Sequence, residues 1–293
     1  MHECFLEIAY EAELDTSEDP ELLEIAPQLC NETPATRVTG LTELRNMIYD
    51  RDECTPPRMD DAYLLRYLRA RKFVVPRAYK LLVRYCQFRE QYPHLYRGVD
   101  LWGLMRVGCA YEGSMYDRPD VGRLSVFRFG TWDPNEYPVE DLLRAGMAIS
   151  EIGIRQPKMQ VMGGVVIVDL EGLTLRQTAT LTPSIAYQIT CLMGIALPVR
   201  VKSCHIINYS WVLHTFIYLF KRFIPQKTWE RVHFHGWDLK SLHKHIDPEC
   251  LPPRYGGTCR NHVPIGTWFQ KIKKYRDEQF DREMKNLGYL VKE

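Results

Sequence analysis

Leu41, Leu44 and Ile48 recur at helical spacing, as do Leu64 and Leu68, with Arg66 and Arg69 turned elsewhere. Asp60 or Asp61 is placed to cap the helix that carries Leu64. Pro76 suits the first position of a further helix, in which Leu81, Tyr85 and Phe88 form one stripe. Residues 37–97 therefore predict a small bundle of short helices. The pattern changes from about residue 98. Leu124 to Phe129 reads as a strand and Trp132–Asp133–Pro134 as a loop. Pro138 opens a helix with Leu142, Ile149 and Ile152 along one side. Val161 to Val168 is an apolar run ending at Asp169, as expected of a strand covered on both faces in a parallel sheet. Pro183 opens another helix, to about Gly194, and Val199 to Asn208 is strand-like again. This alternation over 98–262 predicts an α/β layer domain. Residues 263–293 add an amphipathic helix, Thr267 to Asn286, with Trp268, Ile272 and Tyr275 on one side.

The segment 211–224, WVLHTFIYLFKRFI, has an unusually wide apolar face. Val212, Phe216, Leu219 and Phe223 form one row, and Leu213, Ile217, Phe220 and Ile224 the next. It is too short to cross a bilayer. Two readings fit: a core helix of the α/β domain, or a lid over an apolar cavity.

Charge sharpens the picture. The net charge of +1 is unevenly spread: residues 1–36 hold ten acids and no Lys or Arg, so the other 257 residues carry a surplus of +11. An acidic lead of this kind reads as a solvated tail, or as an internal decoy for a basic patch. Basic residues flank 211–224. Arg200 and Lys202 are two apart on a strand and share a face. Lys227 and Arg231 are four apart on an expected helix. They fit a solvated surface or a phosphate-rich headgroup.

Other chemistry finds little support. The first twenty residues lack a basic start and an apolar stretch, so no secretory signal is read, and nine scattered cysteines without C-x-x-C suit a reducing compartment. A cytoplasmic, reversibly membrane-associated protein is expected. His243, His245, Cys250 and Cys259 match no common zinc spacing, so no metal is expected. No phosphate loop, G-x-G-x-x-G or nucleophile elbow occurs, and the expectation is no enzyme. Asp169 and Glu171 follow a buried strand, either as a catalytic pair or as a structural cap. His233 and His235 are read as lying on one helix, where they face apart. The basic residues follow no nucleic-acid module.

Several motifs resemble one family. DDAYLLRYLRARKFVVPRAYKLL (60–82) is similar to the helical N-terminal part of CRAL-TRIO, or Sec14-like, proteins. DLEG (169–172), HIIN (205–208), HFHG (233–236) and LPPRYGG (251–257) resemble the lipid-binding part, in order and spacing. The resemblance covers roughly 37–260 and looks nearest to the tocopherol-transfer and retinaldehyde-binding branch. It implies a helical bundle (37–97) followed by an α/β domain with a mostly parallel sheet (98–262), between the acidic segment (1–36) and the C-terminal helix (263–293) read from the pattern. A mobile gate helix, 211–224, would cover an apolar cavity holding one hydrophobic lipid, without a cofactor. It further implies a cavity lined by Leu143, Gly146, Ser150, Val168, Leu173, Leu181, Ile189, Leu192, Met193, Leu197, Phe216, Phe220 and Ile224. Arg200, Lys202, Lys227 and Arg231 match the positions that bind a phosphoinositide headgroup in tocopherol carriers. Gly146, Val168 and Leu173 depart from the tocopherol pattern toward smaller side chains, so a retinoid, carotenoid, sterol-like lipid or phospholipid stays open. A lipid-sensing adaptor acting on a protein partner is the competing reading.

Overall fold

A computed structural model describes residues 14–108, 110–118, 121–210, 217, 218 and 220–292, the side chains of 114–118 excepted. Four helices come first: α1 (Pro20–Cys30), α2 (Pro34–Arg51), α3 (Asp61–Ala70) and α4 (Val75–Gln91). Their starts are set by short polar caps. The Asp60 carboxylate accepts from the Tyr63 N–H at 3.0 Å, and Pro76 sits in the first turn of α4.

The acidic lead differs from the expected tail. Within it Leu22, Ala26 and Cys30 recur every fourth residue, are buried on α1, and pack on Val161 and Met162. Glu32 receives Arg69 through two bonds, Nε at 2.7 Å and Nη2 at 2.8 Å. Glu18 receives Arg69 at 2.5 Å and Arg37 at 2.6 Å. These pairs hold residues 18–36 to the helical unit, which therefore starts before residue 37. Residues 1–13 lie outside the described residues.

The α/β part follows as β1 (Tyr111–Arg118), β2 (Gly122–Arg128), α5 (Val139–Gly153), α6 (Pro157–Met162), β3 (Gly164–Asp169), α7 (Leu175–Ala179), α8 (Pro183–Thr190), β4 (Val201–Ile207), α9 (Gln226–Trp229), β5 (Val232–Gly236), α10 (Leu239–His243) and β6 (His262–Pro264). The strands form one sheet in the order β5-β4-β3-β2-β1-β6. Pairs β2–β3, β3–β4 and β4–β5 are parallel, whereas β1 pairs antiparallel with β2 and β6. The expected α/β architecture with a mostly parallel sheet is thus present.

Some boundaries move. The run Val161–Val168 is split, because Gly163 turns with φ +68° and a Cβ there would meet the Arg200 carbonyl oxygen at 2.5 Å. Its first residues end α6 and the rest form β3. The C-terminal helix is two, α11 (Ile265–Tyr275) and α12 (Glu278–Asn286), because Asp277 caps the second by accepting from the Phe280 N–H at 2.7 Å. Helix α9 stops at Trp229, so Lys227 and Arg231 do not share one helix face. His233 and His235 stand on β5, where residues two apart share a face, and not on a helix.

The sheet packs on both sides. Val166, Cys204 and Ile206 join Leu170 and Ile217 on one face. Val165, Ile167 and Ile207 join Leu242, Ile246, Leu251 and Tyr255 on the other.

Candidate functional site

The first of these faces is not filled. A cavity of about 260 Å³ lies between it, α5 and α8. Leu143, Gly146 and Ser150 reach its wall from α5, and Val168 from β3. Leu173 and Leu181 reach it from either side of α7, and Ile189, Leu192 and Met193 from α8 and the wide turn behind it. In that turn Gly194 takes φ +98°, which frees the chain to double back toward β4. Phe220 and Ile224 close the wall from the aromatic segment.

Leu197 is not on the wall. It follows the wide turn, is fully buried in the helix-side core, and its N–H bonds the Cys191 carbonyl at 3.3 Å. Phe216 lies outside the described residues. Sequence reading missed Phe127, Val166, Cys204, Ile206 and Val232, which face the cavity from the sheet, and Ile217 and Trp229 beside them. Period-two alternation could have found them once the strand ends were known.

Polar atoms on this wall are mostly engaged by the protein itself. Gln177 donates to the Trp132 carbonyl at 2.5 Å and caps α7 through Thr174. Thr178 and Thr190 donate to the carbonyls of Leu175 and Tyr187, each at 2.8 Å. The Tyr111 hydroxyl donates to Ser125 at 2.9 Å. What remains is an apolar surface with few groups to satisfy.

Residues 217, 218, 220 and 221 are helical. Ile217 is buried against Val166, Leu170, Cys204 and Ile206. Tyr218 lies 6.0 Å from Trp229, which lies 5.7 Å from Phe234 of β5. The Lys221 ammonium stands 5.6 Å from the Tyr218 ring and 5.8 Å from Trp229. Phe223 meets Tyr187 of α8 at 5.6 Å. The described part of the segment, 217, 218 and 220–224, therefore rests on aromatic side chains at both edges of the cavity, while 211–216 and 219 lie outside the described residues.

Arg200 and Lys202 stand at the start of β4, Lys227 on α9 and Arg231 just before β5. Arg200 is half-buried and donates to the Val161 carbonyl at 2.7 Å. Burial lowers its guanidinium from the ordinary value, and the nearby Arg231 charge adds to the effect. Lys202 is partly buried two residues on, while Lys227 and Arg231 are exposed. Arg231 also touches the cavity wall, so basic surface and apolar void adjoin.

Asp169 is tied at the far end of β3. It accepts from the Asn208 amide at 2.9 Å, the Tyr255 hydroxyl at 2.8 Å and the Glu171 N–H at 3.0 Å. Burial, then the Asp169 charge, pushes the Tyr255 hydroxyl far above its usual value. One carboxylate thus fastens DLEG, HIIN and LPPRYGG together, a structural use of both its oxygens. No three His, Cys, Asp or Glu side chains among the described residues are placed to hold a metal ion. No helix of the described residues is long and apolar enough to cross a membrane.

Comparisons with known proteins agree with this geometry. The model of the CRAL/TRIO N-terminal domain matches residues 20–84, and that of the CRAL/TRIO domain residues 119–257. Human clavesin-2 is 32% identical over 279 residues, covering 94% of this chain and 85% of its own. Xenopus laevis clavesin-1 is 32% identical over 266 residues, covering 89% and 80%. The crystal structure of Sfh5 aligns with a TM-score of 0.48 at 12% identity, over 84% of this chain and 99% of that one. A helical unit, a mostly parallel sheet with one hollow face and near full-length matches to the clavesins converge, and the chain belongs to the CRAL-TRIO family of lipid-binding proteins.

Proposed function

We propose that this protein is a non-enzymatic intracellular carrier that holds one hydrophobic lipid, a tocopherol, retinoid or similar molecule, and exchanges it with phosphoinositide-containing membranes. The observation that carries this reading is the apolar cavity, whose wall holds few polar groups, with Gln177, Thr178 and Thr190 among them hydrogen-bonded within the protein. A guest with on the order of 400 Å² of apolar surface gains about 10 kcal/mol on leaving water, at ~25 cal/mol per Å². The same quantity makes unaided transfer slow, so the pocket must open where an acceptor membrane is present. Segment 211–224 acts as the gate, its Tyr218 and Phe223 resting on Trp229 and Tyr187 when shut. Arg200, Lys202, Lys227 and Arg231 grip an anionic headgroup beside it and bring the gate to the bilayer surface.

The test is transfer of a pyrene-labelled lipid between vesicles with and without a phosphoinositide. Each cation near an anionic surface contributes about 1 kcal/mol. Changing both Lys202→Ala and Lys227→Ala, neither of which reaches the cavity wall, should therefore weaken vesicle binding roughly 30-fold while leaving probe uptake in solution intact. Transfer that ignores phosphoinositide in both proteins would sink the membrane role. Tight probe binding with no transfer would favour a lipid-sensing adaptor.

A further inference from the structure

Behind the cavity, on the filled face of the sheet, stand four histidines that the carrier mechanism does not use. His205 comes from β4, His233 and His235 from β5, and His245 from the turn after α10. Ring centroids are 4.3 Å apart for His233–His245, 4.9 Å for His205–His233, 5.2 Å for His205–His235 and 5.3 Å for His205–His245. A hydrogen-bonded chain runs through two of them. Ser203 Oγ meets His205 Nε2 at 2.9 Å, His205 Nδ1 meets His235 Nε2 at 2.9 Å, and His235 Nδ1 meets Ser241 Oγ at 2.8 Å.

We propose that this cluster is a proton sensor that loosens the β4–β5 edge of the cavity, and with it the gate's resting surface, under mildly acidic conditions. The proposal rests on the carrier reading of the cavity. The chain is complete with neutral rings, each giving one hydrogen and accepting one. With both central rings protonated, two N–H donors would face each other across 2.9 Å. Burial, then the neighbouring rings His235, His233 and His245, pushes His205 down to about 3. Burial, then His245 and His233, pushes His235 down to about 4, with Asp238 opposing, and burial and His245 lower His233.

Other groups around the cluster leave this balance in place. From β3 come apolar Val165 and Ile167, and Asp169 is held by Asn208 and Tyr255. From α10 and its turn come Asp238, Lys240, Ser241, His243, Lys244 and Asp247, with His243 Nε2 bonded to the Tyr255 carbonyl at 2.8 Å. The sign follows. The closed structure binds fewer protons than an opened one whose histidines titrate near 6.5. Closure is therefore fully supported above about pH 6.5 and weakens as pH falls toward 4 and 3. Among the described residues strand β5 sits at the sheet edge with one strand neighbour, and its Phe234 supports Trp229 and hence Tyr218 of the gate. Opening there unseats the gate.

The full chain, loaded with a pyrene-labelled hydrocarbon at pH 7.5, is acidified stepwise to 4.5 without vesicles. Below about pH 6.5 the opening constant should rise up to tenfold per pH unit for each histidine that takes up a proton. The rate of probe release should therefore rise at least roughly tenfold between pH 6.5 and 5. His233→Gln with His245→Gln, and separately His235→Gln should the first fail to fold, should move release to lower pH. Release at the same pH in wild type and variants overturns the sensor. Backbone hydrogen exchange of residues 232–236, corrected for its intrinsic pH dependence, separates the two readings. If no probe loads at pH 7.5 the carrier reading fails, while exchange still judges the sensor: faster exchange on acidification supports it, and none overturns it.

Discussion

On β3 and β4, Val166, Val168, Cys204 and Ile206 look into the cavity, while Val165, Ile167, His205 and Ile207 look the other way. The same strands thus serve a hollow face and a solid one. The hollow face is costly to keep open: at ~24 cal/mol per Å³, a space of 260 Å³ without a guest would cost about 6 kcal/mol against a packed core. The solid face keeps that space from collapsing. It does so with close apolar packing and with polar ties, the Asp169 junction and the histidine chain, whose geometry is directional. A binding protein of this kind needs a stiff back before it can keep an open front.

Substitutions that compare the two faces break this picture if it is wrong. Ile167 is fully buried on the solid face, so Ile167→Ala should cost about 2–5 kcal/mol in chemical denaturation. Ile206→Ala, on the wall of existing space, should cost roughly half of that or less. Equal losses would mean the hollow face is as tightly packed as the solid one. Next in size is Tyr255→Phe, which removes one bond to Asp169 and should cost about 1–3 kcal/mol without changing probe affinity. The smallest stability effect is expected for Gly146→Leu. A Cβ at Gly146 stands 3.4 Å from Leu192, an ordinary contact, and the rest of the leucine enters the void. Stability should change by less than about 1.5 kcal/mol, yet equilibrium binding of the pyrene probe should weaken at least roughly tenfold.

Much of the fold is legible along the chain because capping residues and apolar blocks act locally. Asp60 and Pro76 sit where the pattern puts them, and the Val161–Val168 run does so in its second half. Strand β1 is not legible, since YEGSMYDR carries too many polar residues for a periodic signal. Helix α1 was hidden by its own acids, which mask the stripe Leu22, Ala26 and Cys30. The histidines of β5 are informative only once their strand is known, because spacing of two means opposite things on a helix and on a strand. The cavity residues were reached through family resemblance. A continuous apolar run does not say which of its faces is hollow, and Leu197 shows the cost, being apolar, adjacent and in the core.

The helical unit is also fastened to the far end of the chain. Arg89 donates to the Leu287 carbonyl at 2.5 Å and to the fully buried Glu151 at 3.3 Å, and Gly98 N–H bonds the Gly288 carbonyl at 2.8 Å. During synthesis α4 emerges nearly two hundred residues before the carbonyl that completes it. The bundle cannot finish until the sheet and α12 have left the ribosome. A nascent chain stalled before Leu287 therefore exposes an arginine and a glutamate meant for the interior.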